Sequence, residues 1–214
     1  MESFLTDEGS LIVYDLIATI QNNKDYLSEI DGAIGDGDHG INMNKGFTIC
    51  KERLAAQKVD LATALKTLGK VLLTEIGGSM GPLYGTFFIE MSKACDGKVN
   101  IDNQIFADML KAALKGIQSL GNAKVGDKTL IDTLSPAVDT YVAAVNRGDS
   151  FERALQAMNT AAETGKESTR ELVAKVGRAS RLGERSRGVL DAGATSCYLM
   201  LSSMASSIEV LLKK

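Results

Sequence analysis

Apolar residues recur every three or four positions along most of the chain, which is the spacing of one face of an α-helix. Such stripes span residues 12–20, 61–76, 106–117, 151–158 and 198–211. No segment alternates apolar and polar residues in the manner of a half-buried strand. Asp149 and Glu152 have the spacing of a capping pair before one of the stripes. The pattern predicts an all-α bundle of about eight antiparallel amphipathic helices, with residues 1–214 forming a single domain.

Charge limits the partners that we expect for this chain, and cysteine content indicates its cellular compartment. The formal net charge is −3 and the isoelectric point is near 5.3, so the chain lacks the basic field that attracts nucleic acid or an anionic membrane. Cys50, Cys95 and Cys197 lie far apart without a metal-binding spacing, which favours reduced thiols in a cytosolic protein. The sequence has neither a signal peptide nor an apolar run of about 18 residues. We therefore expect a cytoplasmic protein that binds neither nucleic acid nor membrane.

Acidic residues, glycines and the only histidine are concentrated in residues 31–44, which read DGAIGDGDHGINMN. Asp36 and Asp38 alternate with glycines, which predicts a tight loop instead of a helix interior. Mg2+ prefers oxygen ligands and is commonly held by carboxylates, water and substrate phosphates, a role that suits Asp31, Asp36 and Asp38. A solvated Asp-Gly turn is the alternative. An EF-hand is excluded, because the sixth position counted from Asp36 is Ile41, where glycine is required.

Glycine is unusually frequent for a helical chain. There are 21 glycines, and each one in a helix interior costs about 1 kcal/mol relative to alanine. Outside the acidic loop they cluster in residues 77–88, 121–129 and 177–193, and we expect each cluster to open or join helices. A helix N-terminus presents unpaired N–H groups, and glycine lets a phosphate approach them closely. The first cluster also fits a plain turn with Pro82 at the first helical position.

Basic residues in the last two glycine clusters are compatible either with binding of a polyanion or with exposure to solvent. Residues 126–129 read Gly-Asp-Lys-Thr, which is not a P-loop, because glycine does not directly precede the lysine and no strand comes before it. Lys128 is expected either to meet a phosphate or to lie in solvent at a helix start. Four arginines in residues 178–187 suit a polyanionic ligand or a solvated surface loop. Together, the acidic loop, the glycine-rich helix starts and the arginines predict a site for a magnesium nucleotide.

Four sequence blocks are spread over most of the chain. In order they read DGAIGDGDHGINMNKGF, GGSMGPLYGTFF, GDKTLIDTLSPA and GRASRLGERS with DAGATS. They resemble the signature blocks of the dihydroxyacetone kinase L subunit family, the nucleotide-binding subunits. The resemblance implies a helical barrel with ADP bound at one end through two Mg2+ ions. The chain departs from the family pattern at Ser79-Met80, where Ala-Ser is usual, at Ala192, where proline is usual, and at Arg181, where an aromatic residue is frequent.

The resemblance also assigns the site residues. The metal ligands of the family fall on Asp31, Asp36 and Asp38. The nucleotide-contacting positions fall on His39, Gly40, Ile41, Asn42, Ser79, Met80, Gly121, Leu130, Arg178, Asp191, Ala192 and Gly193. Ser79 and Met80 are expected on the phosphate side, and Gly121 and Leu130 beside the adenine. Arg178 is expected to be catalytic by stabilising charge on the transferring phosphoryl group.

The activity implied by the resemblance is phosphotransfer. Bound Mg-ADP would accept phosphate from a phosphohistidine protein, the M subunit of the phosphotransferase system. The resulting ATP would pass this phosphate to dihydroxyacetone held on the K subunit. Two alternatives remain at this stage. One is an ATP-dependent kinase half that acts with a separate sugar-binding subunit. The other is a regulatory module whose nucleotide state is read by a protein partner such as a transcription regulator.

Overall fold

Helices dominate the computed structural model, which describes residues 2–55 and 58–214. The α-helices are α1 (Ser10–Asn22), α2 (Lys24–Ile34), α3 (His39–Leu54), α4 (Leu61–Glu75), α5 (Met80–Cys95), α6 (Asn103–Leu120), α7 (Ile131–Asn146), α8 (Phe151–Ser168) and α9 (Ala192–Leu211). Segments Thr6–Glu8 and Arg178–Ser186 form 3-10 turns. The prediction of an all-α fold is confirmed. Within the described residues, no helix combines the length and the apolar character that crossing a membrane requires.

Eight of the helices close into a ring. From α3 to α9 each helix packs against the next, α9 packs against α1, and α1 packs against α3. Where the connection is short, as between α4 and α5 and between α7 and α8, sequential neighbours are antiparallel. The remaining helix, α2, packs against both α3 and α9. The C-terminal end of α2 lies where α3 and α9 begin, since residues 35–38 connect it to α3 and Ile30 packs with Ala192 at the start of α9.

Two short strands were not predicted. Strand β1 (Ser3–Leu5) pairs antiparallel with β2 (Asn100–Asp102), with Phe4 opposite Ile101. Both of these side chains are buried. Strands of three residues are too short for an alternating pattern to be visible in the sequence. The pairing fixes the described start of the chain to the start of α6.

The predicted capping pair before α8 is wrong, because neither Asp149 nor Glu152 lies at a capping position. Ser150 is the N-cap residue, and its hydroxyl oxygen accepts a hydrogen bond from the Arg153 N–H at 3.2 Å. Asp149 instead forms an ion pair with Arg147 at 2.7 Å. Ser150 has the extended backbone that an N-cap position requires (φ −61°, ψ 160°), so the helix begins one residue later than the spacing suggested.

Several glycines lie at close helix crossings instead of in loops, which corrects part of the sequence interpretation. A Cβ atom on Gly69 of α4 would lie 2.8 Å from the carbonyl oxygen of Gly85, and one on Gly85 of α5 would lie 2.9 Å from that of Gly69. Gly46, Gly116 and Gly165 also face a neighbouring helix. The absence of side chains lets these helices approach at backbone distance.

The proline of the first glycine cluster is also displaced from its expected position. Helix α5 begins at Met80, so Pro82 is its third residue and not its first. The N–H groups of a first helical turn have no intrahelical partner, and Pro82 therefore removes no helical hydrogen bond.

All three cysteines are buried free thiols. Burial raises the pKa of Cys50 and of Cys95 to about 12, so both stay protonated at neutral pH. Such thiols are poor nucleophiles and poor metal ligands.

We expect Gly69→Ala to reduce the free energy of unfolding by about 1–2 kcal/mol. The added methyl group would meet backbone atoms of Gly85 and Ile89, and the cost of forcing α4 and α5 apart exceeds the gain in helix propensity. Urea denaturation measures the change. Gly77→Ala is the matched control, because its methyl group would point into open space. Equal stability of the two variants would contradict the role assigned to this crossing.

Candidate functional site

The three predicted metal ligands meet at the bend between α2 and α3. Asp31 lies in the last turn of α2, Asp36 lies in the connection, and Asp38 is the residue before α3. One carboxylate oxygen from each residue lies within 4.8 Å of the other two. Opposite ligands of an octahedral Mg2+ ion are about 4 Å apart, so the donor set and its spacing fit a hard divalent cation.

Glycines shape this bend. Gly37 has a φ of 77°, in the left-handed region that favours glycine. A Cβ atom on Gly35 would collide with the carboxylate of Asp31, so the missing side chain makes room for that ligand. The N–H of His39, the first residue of α3, donates a hydrogen bond to Asp31 at 3.3 Å. The end of α2 is thereby tied to the start of α3.

Arg178 brings a positive charge to the carboxylates. It begins the 3-10 segment Arg178–Ser186, which packs against α2, and its guanidinium forms an ion pair with Asp36. One arginine offsets one of three negative charges, so the cluster keeps a net negative charge that favours a cation. Arg187, which directly follows this segment, pairs with Glu184 at 3.1 Å and is held within its own loop.

The start of α9 adds a second group of predicted residues. Asp191 is the N-cap residue, and its carboxylate accepts a hydrogen bond from the Ala194 N–H at 2.7 Å. Burial is the main cause that raises the pKa of Asp191 to about 6. Ala192 packs in a small apolar cluster with Ile30 of α2. The structure therefore places this helix start beside the helix that carries Asp31.

Leu130 joins the same group from the start of α7. It is buried, and a Cβ atom on Gly193 would lie 3.5 Å from its backbone nitrogen. The residue expected beside the adenine is therefore adjacent to the α9 turn. Gly121, the other residue expected there, directly follows α6 in an exposed position with open space around it. Residues 121–130 form the loop that connects Gly121 along the chain to Leu130, and so to the other site residues.

His39 faces inward from the start of α3. Its ring atom Nε2 lies 2.9 Å from the hydroxyl oxygen of Ser196 in α9, and that oxygen lies 2.5 Å from the hydroxyl of Tyr84 in α5. Only 7% of His39 is exposed, and burial lowers its pKa to about 4, so the ring is neutral at physiological pH. Ser196 and Tyr84 were not predicted as site residues, since each lies in a helix among apolar residues and looks like core.

The other predicted positions lie in first helical turns. Gly40, the second residue of α3, is buried, and a Cβ atom there would collide with the carbonyl oxygen of Lys24. Ile41 is 54% exposed and Asn42 is half-buried. Ser79 is the N-cap residue of α5, but its side chain makes no capping hydrogen bond, and Met80 follows it half-buried. Helix α5 therefore presents its N-terminal N–H groups without a side-chain cap.

Both expectations for Lys128 are wrong. Its side chain is 2% exposed, so it lies neither in solvent nor where a phosphate could reach it. The ammonium group donates hydrogen bonds to the carbonyl oxygens of Thr169, at 2.6 Å, and Val189, at 2.5 Å. Lys128 thus connects three segments: the loop before α7, the residues after α8 and the residues before α9. Burial lowers the pKa of Lys128.

The sequence matches a known family model and named relatives. The family model described as DAK2 domain matches residues 33–206. An ADP-binding subunit DhaL of a PEP-dependent dihydroxyacetone kinase from Listeria innocua is 41% identical over 186 residues, covering 86% of this chain and 88% of that protein. The corresponding DhaL of Escherichia coli is 40% identical over 183 residues, covering 85% of this chain and 87% of that protein.

A solved structure shares the fold. The crystal structure of the dihydroxyacetone kinase from C. freundii in complex with AMP-PNP and Mg2+ matches with a TM-score of 0.70 and 26% sequence identity, over 93% of this chain. This chain spans 33% of the length of that kinase chain. The match supports the all-helical architecture and relates it to part of a longer kinase chain.

The chain therefore belongs to the DAK2 domain family. Within that family its Listeria and Escherichia relatives are separate subunits of a kinase, named for the ADP they bind, and they match it over most of their length. The resemblance drawn from the four sequence blocks is confirmed, as is membership of a kinase family.

Replacing Lys128 with methionine is expected to lower the free energy of unfolding by about 2 kcal/mol. Methionine fills a similar volume but leaves two buried carbonyl oxygens without a donor. The loss should appear in urea denaturation.

Lys175→Met is the control for this change. Lys175 pairs with Asp127 at 3.4 Å, but its side chain is 61% exposed, so the variant should lose less than about 1 kcal/mol. A loss in the Lys128 variant no larger than in the Lys175 variant would show that the buried ammonium does not hold the three segments together.

Proposed function

We propose that this chain binds Mg-ADP at the bend between α2 and α3 and works as the ADP-binding phosphotransfer subunit of a dihydroxyacetone kinase. The observation that carries the proposal is the meeting of three carboxylates with two helix N-termini, those of α3 and α9. We further propose that residues 1–214 form one nucleotide-binding domain, of which residues 1, 56 and 57 lie outside the described part.

The acidic residues have the role of metal ligands. Asp31, Asp36 and Asp38 would hold the magnesium ions, two in number by resemblance to the family. Bound magnesium neutralises phosphate charge and orients the phosphates for transfer. Asp36 must exchange its ion pair with Arg178 for the metal, so the same event that loads the site would free the guanidinium. Arg178 would then be available to stabilise charge on the transferring phosphoryl group.

Backbone groups would hold the diphosphate. The first turn of α3 presents the N–H groups of Gly40 and Ile41 and the positive end of the helix dipole beside the carboxylates, and Asn42, whose N–H donates to the Asp38 carbonyl at 2.9 Å, would contribute its side chain. The uncapped start of α5, at Ser79 and Met80, offers a second set. Leu130 and Gly193 supply adjoining apolar and backbone surface for the base, with Gly121 at the rim. No side chain among these acts as a nucleophile, so positioning and charge carry the catalysis.

The donor and the acceptor would come from other subunits. We propose that ADP accepts phosphate from a phosphohistidine M subunit and, as ATP, passes it to dihydroxyacetone on a K subunit, in the cytoplasm. Two of the relatives are named as PEP-dependent and as ADP-binding subunits, which supports a chain of separate proteins. The C. freundii kinase is about three times as long as the part that this chain matches. This difference in length supports binding of the acceptor outside the part that corresponds to this chain.

A second candidate is an ATP-dependent kinase half that works with a separate sugar-binding subunit. One observation favours it: the C. freundii kinase shares the fold and binds AMP-PNP, an analogue of ATP. The regulatory alternative, in which a transcription regulator reads the nucleotide state, would use the same site and has no such observation in its support.

Asp36→Asn should weaken Mg-ADP binding at least tenfold while the helix content stays native. The substitution removes one charged metal ligand from an exposed bend without changing any buried contact. Isothermal titration calorimetry measures the affinity, and circular dichroism measures the helix content.

The matched control is Asp25→Asn, which removes a fully exposed carboxylate from the same helix, α2. It should bind Mg-ADP as the wild type does. Unchanged Mg-ADP affinity in the Asp36 variant would show that the bend is not the metal site.

The two kinase candidates differ in nucleotide exchange. If ADP is a bound cofactor, mass spectrometry of the native purified protein should find it retained, and labelled ATP should replace it over minutes or longer. Protein purified without nucleotide, with exchange complete within seconds, would favour the ATP-dependent kinase half.

A further inference from the structure

A buried hydrogen-bond network joins the three helix starts that the proposed function uses. His39 is the first residue of α3, Tyr84 lies one turn into α5, and Ser196 lies one turn into α9. The Ser196 hydroxyl oxygen lies 2.9 Å from His39 Nε2 and 2.5 Å from the Tyr84 hydroxyl. The carbonyl oxygen of Gly193 accepts from the Tyr84 hydroxyl at 3.1 Å. At most 7% of any of these three side chains is exposed.

We infer that Tyr84 and Ser196 are positioning residues for the nucleotide site: their hydroxyl groups hold the N-termini of α3, α5 and α9 at fixed mutual positions, so that the backbone groups of those turns converge on one nucleotide. The inference rests on the proposed function. Neither side chain touches the nucleotide, because both face the interior between the helices.

One arrangement of protons satisfies the network with each donor used once. His39 Nε2–H donates to Ser196, the Ser196 hydroxyl donates to Tyr84, and the Tyr84 hydroxyl donates to the Gly193 carbonyl. The Ser196 hydroxyl oxygen also lies 3.2 Å from that carbonyl oxygen, so in the reverse arrangement Tyr84 donates to Ser196 and Ser196 donates to Gly193. Burial raises the pKa of Tyr84 well above its usual value, so its hydroxyl stays protonated as a donor. In a buried environment each of these bonds is strengthened by its neighbours, and an unpaired member costs more than it would in water.

The bond to Gly193 explains how the network reaches the site. Gly193 is in the first turn of α9, and its carbonyl group shares one rigid peptide plane with the N–H of Ala194, which donates to the Asp191 carboxylate at 2.7 Å. Fixing that carbonyl from α5 therefore anchors the first turn of α9, and with it the N–H groups that open the helix. The ring of Tyr84 also packs edge-on against His39, with centroids 6.4 Å apart, so the contact between α3 and α5 has an apolar part that survives loss of the hydroxyl.

The test removes the hydroxyl groups and keeps the packing. We expect Tyr84→Phe and Ser196→Ala each to weaken Mg-ADP binding about tenfold by calorimetry, and the double variant to be weakened far less than the product of the two. Binding of Mg2+ alone should change less than twofold, because the carboxylates remain in place. Amide hydrogen exchange in the first turn of α9, measured without nucleotide, should become faster in both variants.

Two variants with equivalent buried hydrogen bonds elsewhere serve as controls. Tyr141→Phe removes a buried hydroxyl that bonds to Asn103 at 2.5 Å, and Ser92→Ala removes one of α5 that donates to the Ala62 carbonyl at 2.7 Å. Both should lower the unfolding midpoint and leave Mg-ADP affinity at the wild-type value. If they weaken nucleotide binding as much as the site variants do, the effect is general destabilisation and the inference fails.

The remaining outcomes separate the inference from the proposed function. Wild-type nucleotide affinity in both Tyr84→Phe and Ser196→Ala would overturn the inference and leave the proposed function intact. Failure of the wild-type protein to bind Mg-ADP would overturn the proposed function. In that case the inference falls with it, while the exchange rates in α9 still report whether the network holds the helix start.

Discussion

Repulsion among three carboxylates is the constraint around which the bend between α2 and α3 is built. Like charges about 4 Å apart repel by about 1 kcal/mol in water and several times more near a protein surface, and the oxygens of Asp31, Asp36 and Asp38 lie within 4.8 Å of one another. The ion pair with Arg178 and the N–H of His39 offset part of this cost. The repulsion that remains uncompensated would favour binding of a cation, in keeping with the proposed metal site.

The remainder of the fold holds that bend in place. Helix α2 is in close contact with both α3 and α9: Gly40 lies against the backbone of α2, and Ala192 packs on Ile30. On the far side, Lys128 ties the segments before α7 and α9 together with a buried ammonium group. Close packing and buried polar bonds thus supply the rigidity that a charged, glycine-rich bend lacks.

Features that depend on neighbouring residues were predictable from the sequence, whereas contacts between distant segments were not. Helix period identified most helices, and the spacing of Asp36 and Asp38 brings their carboxylates together within one short loop. The nucleotide positions came from resemblance, since nothing in their periodicity marks them. Burial of Lys128 depends on a carbonyl group 61 residues away, and the partner of His39 is 157 residues away. Such pairings depend on how the ring closes, which no single segment encodes.

Closure of the ring has a consequence for how the protein reaches its native state. The first helix packs against the last, and the two sides of the site are contributed by segments from opposite halves of the chain. Contacts of such large sequence separation form late, because loop-closure entropy must be overcome first. During synthesis the acidic bend would leave the ribosome long before α9, so the two sides of the site can meet only after α9 has been made.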